Sequence, residues 1–177
     1  PITDLQLDLL FENEAMHLDS RSAQLMDVTA KRITGRIPDL AENGHIEIEA
    51  SAVASGNAVR DYMTSTPLVD SVGAALTALQ VSGEVNSEFQ LNIPFNADLE
   101  PRAWGYADLS ENHVEIEAPP MTLENVSGRI EFDNDVVTAN GLAAELLEQS
   151  ISVDFKGEND GPGYAVNIDV FGDWDVE

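Results

Sequence analysis

The chain has 177 residues, 43% of them hydrophobic, which is enough to build one ordinary domain or a single broad apolar face. Eight Lys and Arg stand against 33 Asp and Glu, and a formal charge of −25 repels phosphate backbones and anionic lipid surfaces, which excludes nucleic acid as a partner. Cysteine is absent, so disulfides, thiolate metal sites and a cysteine nucleophile are excluded as well.

The acidity reads as a surface and solubility trait. The chain opens at Pro1 and contains neither a charged-then-apolar leader nor a run of about 18 apolar residues. It is therefore expected to be an internal piece of a longer protein, with any membrane contact made by parts outside it.

Period-two alternation dominates from the start. Leu5, Leu7, Leu9 and Phe11 share one side, with Gln6 and Asp8 on the other, which predicts a strand with one apolar face. A turn is expected at Glu42-Asn43-Gly44. The pattern returns at Ile46, Ile48 and Ala50, set against Glu47 and Glu49.

Over residues 57 to 79 the period becomes helical. Leu68, Val72, Ala75, Leu76 and Leu79 form one stripe, Thr66 is placed to cap, Pro67 suits the first helical position, and Asp70 faces the positive end of the dipole. A shorter helical turn is expected before it, between Asn57 and Met63.

The longest alternating run follows, with Val85, Ser87, Phe89, Leu91, Ile93 and Phe95 on one side and Asn86, Glu88, Gln90 and Asn92 on the other. Further strands are expected at Val114, Ile116 and Ala118, at Val126 to Phe132, in the small-residue stretch after it, at Ile151 to Phe155 and at Val166 to Val170. Asp133-Asn134-Asp135, Asn140-Gly141 and Glu158 to Gly163 carry turn chemistry. A Ser/Thr-Gly-charged-β-branched pattern recurs around Gly35, Gly83 and Gly128, at spacings of 48 and 45 residues.

No residue set nominates itself for catalysis, and the chain reads as a non-enzyme without cofactor or metal. His17, His45 and His113 lie 28 and 68 residues apart, without metal-ligand spacing. Glu47/Glu49 and Glu115/Glu117 sit on solvated strand faces. The acidic turns supply hard oxygens but complete no calcium loop. Trp104, Tyr106 and Trp174 read as packing residues rather than as a ligand site.

The expected fold is mainly β: one segment over 1–177, a curved antiparallel sheet of about eight to nine strands with one helical insert about 57–79. The apolar face either closes on itself as a sandwich or barrel, or curls into a trough or open, taco-like barrel whose interior takes acyl chains. The lining candidates are Ile46, Ile48, Phe89, Leu91, Ile93, Val114, Ile116, Ile130 and Phe132. A structural or adhesive extracytoplasmic β domain, rigidified by calcium through its acidic turns, is the other reading.

The order of short landmarks adds to this. They are Ile33-Thr34-Gly35-Arg36-Ile37-Pro38-Asp39-Leu40, Val59-Arg60-Asp61-Tyr62-Met63, Ser65-Thr66-Pro67-Leu68, Val81-Ser82-Gly83, Leu91-Asn92-Ile93-Pro94-Phe95 and Val126-Ser127-Gly128-Arg129-Ile130-Glu131-Phe132. In that order, over residues 24 to 171, the chain resembles the YhdP branch of the AsmA-like envelope proteins. The resemblance implies a large parent anchored in the inner membrane and crossing the Gram-negative periplasm. Its long β groove would support phospholipid transport between the inner and outer membranes. It implies acyl chains and neighbouring segments of the same parent as partners, and it brings no catalytic residues.

Overall fold

A computed structural model describes residues 2–25, 28–40, 44–65, 72–117, 119–161 and 163–172. The expected turn at Glu42-Asn43, the Thr66-Pro67 helix start with Leu68 and Asp70, Ala118 and Trp174 lie outside the described residues. The strands are β1 (Ile2–Glu12), β2 (Ala15–Leu25), β3 (Val28–Ile37), β4 (His45–Ser55), β5 (Leu79–Ser82), β6 (Glu84–Pro94), β7 (Arg102–Ile116), β8 (Met121–Asp133), β9 (Val136–Leu146), β10 (Gln149–Asn159) and β11 (Tyr164–Phe171). They form one open, mainly β, antiparallel sheet of 11 strands rather than eight or nine, in the order β1-β2-β3-β4-β6-β7-β8-β9-β10-β11. Two helices, α1 (Gly56–Thr64) and α2 (Val72–Ala78), occupy the expected insert.

Short turns explain why sequence neighbours pair. Glu12 opposes Ala15 and Asp133 opposes Val136, each across two residues, with Asn13 and Asn134 at positive φ, a conformation that asparagine tolerates. The Asn134 carboxamide oxygen also accepts the Ala103 N–H at 2.8 Å, tying this turn to β7. Asn140-Gly141 is not a turn, as its composition suggests, but a bulge inside β9. Register shifts there, Gly141 has φ 65°, and its N–H donates to Asp154 Oδ1 at 2.7 Å.

The insert leaves and rejoins the sheet at two glycines. The Gly56 N–H donates to the Gly83 carbonyl at 3.0 Å, and the Ser55 hydroxyl caps α1 by accepting from Ala58 N. Leu79, the last residue of the predicted helical stripe, is the first of β5, which pairs with the second half of β7 instead of with β6. β7 serves both partners because its 15 residues outrun β6, and a bulge near Glu111 (φ 55°) keeps Leu109 and Asn112 both buried.

The packed core lies on this side. Val114, Ile116, Leu123, Val126, Leu142 and Val153 cluster with Ala75 of α2 and with Leu79. Val126 and Val153 are each 1% exposed, and burial of such side chains contributes about 1.5–3 kcal/mol apiece.

Candidate functional site: the two faces of the sheet

Cross-strand register converts the period-two pattern into rows running at right angles to the strands. One row passes through Leu7, Ser20, Ile33, Ala50 and Phe89, then Gly105, Phe132, Val137, Gly157 and Val166. It crosses ten strands, about 43 Å at the usual inter-strand spacing, and Ser20 is its one hydroxyl-bearing member. Ser20 is 1% exposed and donates to the Ser22 carbonyl at 2.9 Å, so its hydroxyl is satisfied locally. A second row runs Leu9, Leu18, Gly35, Ile48, Leu91 and Ala103.

Several glycines in these rows are fixed by space. A Cβ on Gly35 would collide with the Leu18 side chain, and one on Gly157 would lie 2.5 Å from the Tyr164 hydroxyl. A large side chain thus leans across a cross-strand glycine.

The nine candidate residues divide into two environments. Ile46, Ile48, Phe89 and Leu91 are half-buried and Ile93 is exposed, all on β4 and β6. Val114 and Ile116 are buried within the core cluster, and Ile130 and Phe132 pack against it. Leu18, Ile33, Val137 and Val166 belong to the same rows and were not among the nine. Along their own strands Ser20 follows Leu18 and Gly35 follows Ile33 at the next same-face position, which interrupts the alternation that would have marked those two.

The opposite face is polar and shaped. Arg102 makes a two-pronged bond to Asp133, at 2.9 and 2.6 Å, and lies 4.8 Å over the Trp104 ring. Arg129 does the same with Asp108, at 2.8 and 2.9 Å, and lies 3.7 Å over Tyr106. The hydrogen bonds from these arginines hold both carboxylates below their ordinary pKa. A hydrogen bond with Glu88, followed by burial, raises the Tyr106 phenol. Of these residues Glu88, Trp104, Tyr106 and Asp133 border a recess of about 870 Å³. Trp104 and Tyr106, read from sequence as packing, stand at its centre.

The histidines and acidic turns have local structural duties. His113 contacts Glu124 at 2.8 Å and Glu115 at 3.1 Å, bonds that raise its pKa in that order of strength. In the acidic turns, Asp135 accepts the Asn159 N–H, Asn159 accepts the Gly161 N–H and Asp160 accepts the Gly163 N–H. Among the described residues no three potential ligands converge on a metal position, and no helix is long and apolar enough to cross a membrane.

The described residues define a mainly β protein built on one open antiparallel sheet with two short helices. The family model described as "YhdP protein" matches residues 1–177, and the chain belongs to that family. A relative from Escherichia coli (strain K12), the "Intermembrane phospholipid transporter YhdP", is 34% identical over 173 residues. The aligned region covers 98% of this chain and 14% of that relative, so the chain spans a small part of its length. No solved structure matches.

Proposed function

We propose that this segment forms part of a lipid-conducting surface, on which phospholipid acyl chains ride the open apolar positions of these rows. Membership in a family with a phospholipid transporter supports the cargo, and the ten-strand row carries the reading. Each methylene kept from water is worth about 0.8 kcal/mol, so an exposed sixteen-carbon chain in transit would cost roughly 12 kcal/mol. An apolar lining lowers that barrier and needs no head-group recognition.

On this reading the parent is an inner-membrane-anchored protein of the Gram-negative periplasm, and the segment performs no chemistry. β1 and β11 are the terminal strands of the sheet order, and neighbouring segments of the same parent would continue it there. The open positions Ile46, Ile48, Phe89, Leu91 and Ile93 are the contact residues. Val114 and Ile116 belong instead to the packed core that also holds Ala75 of α2, and Ile130 and Phe132 pack against it.

Photo-crosslinking in cells tests this, with the probe placed at position 48, 91 or 116 and with position 90 on the polar face as control. Phospholipid adducts are expected from 48 and 91 and not from 90 or 116. Folded protein that yields no adduct from 48 or 91 would remove the proposal.

A further inference from the structure

Trp104 and Tyr106 are two residues apart on one strand, so they project from the same face about 7 Å apart. Each carries a guanidinium stacked on its ring, itself held in two-pronged contact with a carboxylate. Such clamps restrict the rings before any ligand arrives, and preorganisation of this kind favours binding. The flanking strands place planar hydrogen-bonding groups beside them. Glu88 and Glu131 pair with Tyr106, Gln90 pairs with Trp104, and Glu49 stands beyond Gln90.

We infer that this recess binds a neutral glycan, its sugar rings lying against Trp104 and Tyr106 and its hydroxyls donating to Glu49, Gln90 and Glu131. The volume of about 870 Å³ falls within the range of ligand sites. Glu88 is already engaged by the Tyr106 hydroxyl, whereas no ion pair among the described residues engages Glu49 or Glu131, whose oxygens can act as acceptors. A pyranose offers what these groups complement: an apolar C–H face for an aromatic ring, and hydroxyl donors around its edge. The surplus of carboxylates discriminates against acidic sugars. The site faces away from the apolar rows, so it stands independently of lipid conduction.

Calorimetric titration of the purified protein with chitotetraose and maltotetraose tests the inference, with choline chloride as a cationic probe. At least one oligosaccharide should bind saturably, with affinity little changed by high salt, since neutral ligands are not screened. Trp104→Ala should weaken binding about tenfold, as loss of one aromatic contact does. Gln90→Ala should weaken it without disturbing the arginine clamps, and circular dichroism should report both variants folded. If Trp104→Ala does not fold, Gln90→Ala alone decides. Saturable choline binding without oligosaccharide binding, no binding at all, or binding indifferent to Gln90→Ala would overturn the assignment.

Discussion

The Asn112 carboxamide grips the backbone on both sides of Gly83, donating to the Ser82 carbonyl at 2.9 Å and to the Glu84 carbonyl at 3.0 Å. Its oxygen accepts the Ser110 N–H at 2.7 Å, and the residue is 2% exposed. One side chain therefore fixes the junction where β7 exchanges β6 for β5.

Replacement of Asn112 by Ala leaves three backbone groups short of a partner and should destabilise the protein by about 3 kcal/mol. Gly83→Ala should cost about 1–2 kcal/mol, because φ is 93° and a Cβ would lie 2.9 Å from the Asn112 nitrogen. The two act on one contact, so the double variant should lose less than the sum. Urea unfolding measures all three, and an Asn112→Ala variant as stable as the parent would refute the account.

The β9–β10 turn places Leu147 and Glu148 at φ 52° and 66°, where neither residue type is comfortable, and Leu147 is 84% exposed. Substitution of the pair by Asn-Gly should stabilise the protein by about 1–2 kcal/mol, since these residues suit two consecutive positive φ angles. A denaturation midpoint that falls would show the turn to be held by something else.

His113 gives the stability a pH dependence of known sign. Glu124 and then Glu115 raise its pKa in the folded state, so the fold favours the protonated ring. The contribution is fully present below the unfolded value near 6.5 and is lost as pH rises through the folded value. Melting temperatures of the parent and of His113→Gln should therefore converge as pH climbs from 6 toward 9. A constant difference would count against the ring's charge as the cause.

Gly35→Ala should cost about 1–3 kcal/mol through collision with Leu18, as overpacking does. Adding Leu18→Ala should recover part of that loss. Thermal melts of the two single variants and the double variant read the recovery directly.

Much of the sheet was legible because alternation maps directly onto β1, β4, β6 and β8. β2 was not, since Ser20 occupies a position where an apolar side chain would have revealed the period, and a register shift follows it; the Ser20 hydroxyl is satisfied by a neighbouring carbonyl. β5 was hidden in the helical stripe, whose last member Leu79 meets Ile116 of β7 across 37 residues. That pairing brings β5 into the core beside Val114 and Ile116, and no local pattern carries it. Trp104 and Tyr106 were visible as aromatics, but the clamps upon them join β7 to β8 and emerge only with the register.

Apart from the β5 excursion, every strand lies beside its neighbour in the chain. A meander of this kind can lengthen by gaining a hairpin, each adding about 10 Å while leaving the existing strands as they were. Reach across the strands is then a quantity that can be set in steps of roughly one nanometre without a new fold.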